Sequence, residues 1–366
     1  MITWTDLSYS LAPNNTSQTT GVSTSTPGAS KLVWALGFAG LGALDGLQNA
    51  PTDPSRLIGC PNFANFVCPA LLSAGVTGTL DATATTNLRH ASLRDHVSEV
   101  TVPTLIMQGQ SDTLFNLNEG IAAYQALKQQ KTPVKMVWIN GGHSGPNAPG
   151  EIDFDAPDPT TQHIAKRVLN WFDHYLKRTG APTGPRFTYF RDWVDYTGNA
   201  RPAYASSSSF PVGTPTTWTL SGDKTLTRGA PTSGSARFTT PLAGLPTSID
   251  PLDVVGDQLP LPEIDLPGTF AQWSTDPLAD PVDVVGQPRL DLQVSAPLAN
   301  LTQGTDSGKL VLFAKIADVA PDGTATIVRN LVAPVRVPDA RKPFAVTLPA
   351  FAHRFEAGHR IQLIVA

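Results

Sequence analysis

Two apolar runs, VPTLIMQG (Val102–Gly109) and VKMVWING (Val134–Gly141), flank an amphipathic stretch, NLNEGIAAYQALKQQ (Asn116–Gln130), and nothing else in the chain limits its fold as much. Continuous apolar runs of this length suit strands covered on both faces, whereas half-exposed strands alternate. The stretch between them opens on Asn116 as a cap with Glu119 three positions on. Its apolar Ile121, Ala122, Tyr124, Ala126 and Leu127 leave a polar face at Gln125, Lys128 and Gln129. Strand, helix, strand at this spacing is a parallel crossover unit. A second helical pattern follows, with Ile164, Val168, Leu169, Phe172, Tyr175 and Leu176 recurring before a stop at Gly180, and it is expected to cover the sheet.

The chain has 366 residues, enough for two packed cores. Residues 14–100 are rich in Thr, Ser, Gly and Ala with few strand signals and read as an insertion over the sheet; residues 101–180 are the crossover unit and its covering helix. After a GAPTGP linker, residues 186–366 consist of short alternating segments such as RLDLQVSAPL, KLVLFAKIADV and RIQLIVA separated by PDG and AGH turns, the pattern of an all-β sandwich or jelly roll. DPLDVVG at Asp250–Gly256 resembles DPVDVVG at Asp280–Gly286, but two copies do not make a stacked repeat. The last residues, Arg360–Ala366, stop inside an apolar strand pattern and are expected to present an unpaired edge, as in a chain cut short.

A net charge of −4 implies no basic surface able to follow a phosphate backbone, so no nucleic-acid partner is expected. LVWALGFAGLGAL, Leu32–Leu44, is shorter than the ~20 residues of a membrane span and reads as a buried or cap helix. Cys60 and Cys68 fit either a local disulfide of an exported protein or two buried thiols. The opening MITWTDLSYS carries no basic or apolar leader, and the compartment stays open.

Each apolar run ends at glycine and then presents a titratable side chain: Asp112 after the first, His143 after the second. An imidazole acts as a general base only when its second nitrogen is held in the right tautomer, and a carboxylate does this while stabilising the imidazolium that forms. Asp112 and His143 suit those roles, because both follow strands of a parallel sheet at the carboxyl end, where ligands of open α/β sheets bind. The other histidines (His90, His96, His163, His174, His353 and His359) read as surface or packing residues. The expected third member is a Ser in a G-x-S-x-G elbow, and no Ser in the chain has Gly at both flanking positions. Ser144 adjoins the base itself, and neither Cys has a neighbouring base to depress its pKa. No zinc-type spacing and no phosphate loop occur, so neither metal nor cofactor is expected.

The opening ITWTDLSYSLAPN, the motifs PTLIMQGQSDTLFNLNEG and VKMVWINGGHSG, the helix ending VLNWFDHYLKRTG, and VVGQPRLDLQVS with LFAKIADVAPDGT together resemble the cocaine-esterase and Xaa-Pro dipeptidyl-peptidase group of α/β-hydrolases. The resemblance implies the carboxyl-terminal part of an α/β-hydrolase domain over residues 1–180, with a helical cap inserted at 14–100, followed by a jelly-roll β-sandwich over 186–366. It implies hydrolysis of an ester or of an amide or peptide bond through an acyl-enzyme, with Asp112 as triad acid and His143 as base. In such proteins ITWTDL follows the nucleophile elbow, so Met1 is expected to lie downstream of the Ser. This chain alone is then expected to be inactive and to need a complementing N-terminal hydrolase segment. The family habit also favours export. An alternative is a noncatalytic protein whose β-sandwich recognises glycan or envelope material, with Trp218 and Trp273 together on one exposed face.

Overall fold

The computed structural model of the chain describes residues 5–16, 27–239, 248–249 and 264–366. The crossover unit forms as its pattern requires: β1 (Thr104–Gly109) and β2 (Val134–Ile139) run parallel, with Thr104 opposite Val134 and Gly109 opposite Ile139. Both apolar runs are covered on two faces. On one side Ile106, Met136 and Trp138 pack against Ile121, Tyr124 and Leu127 of the connecting helix (Leu117–Gln129). On the other, Leu105, Met107, Val137 and Ile139 meet Ile164 and Trp171 of the helix His163–Tyr175. Each such side chain contributes about 1.5–3 kcal/mol by burial, which makes this layered sandwich the rigid base of the first region.

Two further strands join the same sheet. β3 (Phe187–Phe190) lies parallel to β2, and β4 (Tyr204–Ser207) lies antiparallel to β3, so the order is β1-β2-β3-β4. The all-β pattern expected from residue 186 thus begins with two strands that hydrogen-bond to the parallel unit.

Five α-helices precede β1 among the described residues: α1 (Leu7–Leu11), α2 (Leu32–Asn49), α3 (Val67–Thr77), α4 (Ala82–His90) and α5 (Leu93–His96). α6 (Leu117–Gln129) and α7 (His163–Tyr175) follow β1 among the described residues. The run Leu32–Leu44 lies in α2, but it is not a buried helix: only Gly46 of α2 is buried, while Leu36, Leu41, Leu44 and Leu47 are exposed. Apolar residues occupy every side of α2, and α1, α3 and the turn Pro54–Leu57 cover only part of its circumference. No helix among the described residues is long and apolar enough to cross a membrane. Cys60 and Cys68 are joined in a disulfide.

From residue 219 onward most of the regular elements among the described residues are strands. Short pairs come first, β5 (Thr219–Leu220) with β6 (Leu226–Thr227) and β7 (Ser248–Ile249) with β8 (Ile264–Asp265). Then come β9 (Ala271–Ser274), β10 (Val282–Gly286), β11 (Arg289–Leu292), the short helix α8 (Pro297–Thr302), β12 (Val311–Val319), β13 (Ala325–Arg336), β14 (Phe344–Thr347), β15 (Phe351–Phe355) and β16 (Arg360–Val365). The largest sheet has the antiparallel order β13-β12-β16-β9, while β10 pairs with β15 and β11 with β14. Leu312, Ala314, Val335, Phe344, Val346 and Leu363 form the centre of this core. The terminal strand β16 is not the unpaired edge expected of it: β12 and β9 flank it on either side, so its backbone groups are satisfied. Of the two similar heptapeptides, Asp250–Gly256 lies outside the described residues, and the second supplies β10.

The two regions are knitted together through buried amides. Gln110, one residue after β1, accepts from the Ala352 amide at 3.0 Å, and Asn118 of α6 accepts from the Ala350 amide at 3.0 Å. Ala350 and Ala352 also complete the core cluster around Trp138. A carboxyl-terminal segment therefore sits directly behind β1 and α6, the two elements that flank the loop carrying Asp112.

Candidate active site

The loop after β1 is shaped by Asp112, which is buried and uses both carboxylate oxygens. Oδ1 accepts from the amides of Leu114 (3.0 Å) and Phe115 (2.7 Å), closing a turn that leads into α6, and Oδ2 is left to receive Nδ1 of His143 at 2.8 Å. Asp112 is thus both the cap of its own loop and the partner of the imidazole.

The loop after β2 reaches Asp112 because two glycines let the backbones touch. A Cβ at Gly142 would stand 2.6 Å from Asp112 Cβ, and one at Gly109 would stand 1.9 Å from the Gly141 carbonyl oxygen. No side chain fits either gap. The Gly142 amide donates to the Gly145 carbonyl at 3.1 Å, which turns His143 outward at the tip of the loop, with Ser144 beside it. The Ser144 hydroxyl is engaged with Thr113, 3.1 Å from its amide and 2.6 Å from its hydroxyl oxygen.

His143 is two-fifths exposed and lies edge-on to two aromatic rings, Phe115 with centroids 5.1 Å apart and Trp34 of α2 at 6.3 Å. The hydrogen bond that His143 donates to Asp112 raises its pKa above the ordinary histidine range, with partial burial opposing. With Nδ1 directed at a carboxylate that can only accept, the neutral ring carries its proton on Nδ1 and its lone pair on Nε2. Among the described residues Nε2 has no hydrogen-bond partner, and the side chain that carries it is partly exposed.

Side chains outside the two loop tips brace this pair. Lys31, at the start of α2, donates from Nζ to the carbonyls of Thr113 and Leu114, both at 2.7 Å, and burial pulls its pKa down to about 8. Glu151 clamps the histidine loop at both ends, accepting from the amides of Asn140 and Ala148, each at 2.8 Å, and from the Tyr204 hydroxyl. Burial raises the Glu151 pKa. Glu119 does not close the capping box with Asn116. Its carboxylate instead takes the Thr5 amide at 2.6 Å and the Ser10 hydroxyl at 2.5 Å, fastening the amino-terminal segment to α6. Because it is buried, its pKa is pushed up to about 7.

The sequence thus pointed to Asp112 and His143, and the fold brings them into contact; Lys31, Trp34, Phe115 and Glu151 went unread. Only Phe115, three residues from Asp112, had a local signal. The remaining histidines lie elsewhere. His163 packs on the Tyr204 ring, and burial lowers its pKa to about 4. His353 and His359 share Asp318, at 2.9 and 2.8 Å, a second carboxylate–imidazole cluster that no spacing in the sequence suggested. Among the described residues no group of three or more His, Cys, Asp or Glu is arranged to hold a metal ion.

Residues 191–366 match the family described as the X-Pro dipeptidyl-peptidase C-terminal non-catalytic domain. The solved structures similar to the chain include a CocE/NonD family hydrolase from Staphylococcus aureus (14% identity, 93% of this chain and 56% of that one, TM-score 0.51). An α-amino acid ester hydrolase (18%, 78% and 51%, TM-score 0.49) and an aminopeptidase from a marine sediment archaeon, Thaumarchaeota archaeon (17%, 77% and 50%, TM-score 0.48) are also similar. At such identities the first of these likenesses is one of fold. No curated protein matches the sequence. The chain spans about half the length of each of these solved structures. The domain match upholds the resemblance to the cocaine-esterase and Xaa-Pro dipeptidyl-peptidase group of hydrolases that the motifs suggested.

Proposed function

We propose that Asp112 and His143 are the acid and base of a serine hydrolase that cleaves acyl ester or amide and peptide bonds through an acyl-enzyme, with the α/β region carrying the chemistry, residues 14–100 forming a helical cap, and the β-rich region from residue 186 forming a jelly roll beside the site. The observation that carries this reading is the 2.8 Å contact between His143 Nδ1 and a buried carboxylate, on a ring that is itself partly exposed. In that arrangement Nε2 takes the proton of an attacking hydroxyl, and Asp112 stabilises the imidazolium formed. The same nitrogen then returns the proton to the leaving alcohol or amine. Trp34 and Phe115 wall the ring on two sides and limit the approach of water.

The nucleophile comes from outside these residues. No Ser in the chain sits in a G-x-S-x-G elbow, and the nearest hydroxyl in sequence, Ser144, is committed to Thr113. The chain by itself therefore turns over little or no substrate, and a complementing segment bearing a strand and an elbow serine restores activity. The binding-module alternative lacks its platform, since Trp218 and Trp273 are half-buried in two different clusters.

The test is to translate the coding sequence on the 5′ side of the Met1 codon, express any elbow-bearing segment jointly with this chain, and assay 4-nitrophenyl esters and Xaa-Pro anilides. Hydrolysis that needs both segments and is lost in His143→Ala supports the reading. Absence of such a segment, or hydrolysis untouched by His143→Ala, defeats it.

A further inference from the structure

β13 is interrupted by a bulge where it pairs with β12. Against β12, Lys315 faces Val332 and Ala317 faces Ile327, so the four residues 328–331 of β13 stand opposite the single Ile316 of β12. Within that bulge Arg329 and Asn330, neither of them glycine, both take left-handed backbone angles, φ 56° and 54°. Such angles are unfavourable for residues that carry a Cβ, and bulges commonly serve to re-aim a side chain.

Here the re-aimed side chain is Arg329, only 10% exposed, which leaves its own sheet and enters the two loops of the candidate site. Its Nη1 donates to Asn140 Oδ1 at 3.1 Å and lies 3.4 Å from Ser111 Oγ, while Nη2 stands 2.9 Å from a carboxylate oxygen of Asp192. Ser111 immediately precedes Asp112, and Asn140 begins the loop that carries His143. The Ser111 amide meets the Asn140 carbonyl at 3.3 Å, so the guanidinium closes a junction the two loops already share. The buried Glu151, which clamps the histidine loop, contributes to holding the arginine's charge.

We propose that Arg329 is a positioning residue: it makes the β-rich region, whose family is described as non-catalytic, set the spacing between the acid loop and the base loop. Its planar fork bridges two loops at fixed geometry, which a single-point ammonium does not reproduce. This rests on Asp112 and His143 being the working pair.

The experiment is an NMR titration of His143 in the wild-type chain and in Arg329→Ala, Arg329→Lys and Asp112→Asn. In Arg329→Ala the His143 midpoint is expected to fall by about half a pH unit, since the Asp112 contact that raises it becomes looser; Arg329→Lys restores part of the shift. A folded Arg329→Ala protein that melts lower yet titrates as wild type overturns the proposal and leaves Arg329 a structural latch. If Arg329→Ala does not fold, Asn140→Ala, which removes only the guanidinium's acceptor, decides in the same way. Asp112→Asn separates the two levels: a shift there without one in the Arg329 variants sinks the positioning role alone, and no shift in either sinks the pairing itself.

Discussion

Replacing Asp112 by Asn changes one atom of the site and should reverse the proton on His143. Asp112 Oδ1 holds the Leu114 and Phe115 amides, and an asparagine must keep its oxygen there, because turning the amide would set its NH2 against two backbone donors. The NH2 then faces His143 Nδ1, now a donor where an acceptor stood. Neutral His143 answers by moving its proton to Nε2, the nitrogen that must be free to accept in the proposed chemistry. The imidazolium also loses a hydrogen bond to a charged group, worth about 1.5–3 kcal/mol when well shielded. With the ring two-fifths exposed, solvent screening leaves about 1 kcal/mol, or about 0.7 of a pH unit. Long-range proton–nitrogen correlation spectra recorded across pH 5 to 9 read both effects, the tautomer from the nitrogen shifts and the midpoint from their titration. Wild type should titrate above the ordinary histidine value with the proton on Nδ1, and the variant lower, with it on Nε2. An unchanged tautomer and midpoint in a folded Asp112→Asn protein would refute the reasoning.

Gly142→Ala places a methyl group 2.6 Å from Asp112 Cβ, so the histidine loop must lift away. The variant should lose about 1–3 kcal/mol of stability, measurable by urea unfolding, and its His143 should titrate closer to the ordinary value. Glu119, with a pKa of about 7 in the folded chain, retains a proton that the unfolded chain releases near pH 4.5. Stability should therefore fall as pH rises between those values, by up to about 3 kcal/mol, because the folded state binds more protons throughout that window. Glu119→Gln should flatten this slope when unfolding is followed at pH 5 and pH 7.5; an equal slope in both proteins would show that another group carries it.

Local periodicity was enough to announce the crossover unit and the places of Asp112 and His143. Apolar runs bounded by glycine encode strand, direction change and loop within some forty residues, and a parallel sheet leaves both loops at the same end. The β-rich texture of the carboxyl-terminal region was legible for the same reason. Its pairing was not: β16, which ends in an apolar pattern, lies between β12 and β9, and only long-range register decides whether a strand is interior or edge. Nor was the exposure of α2 readable from its composition, which suits a buried helix; what covers a helix is set by its neighbours.

The supports of the site were hidden more deeply. Glu119 has the spacing of a capping box and was expected to serve one, yet its carboxylate found stronger donors in Thr5 and Ser10, more than a hundred positions away. Arg329 lies 218 residues from Ser111 and 189 from Asn140, and its approach depends on a bulge that no residue preference marks. Chemistry-bearing side chains at strand ends are written in short-range pattern, because hydrogen-bonded secondary structure is local. The groups that hold them at 2.8 Å are chosen by packing between distant segments, where burial makes each unpaired polar atom costly and so selects the one arrangement that satisfies them all.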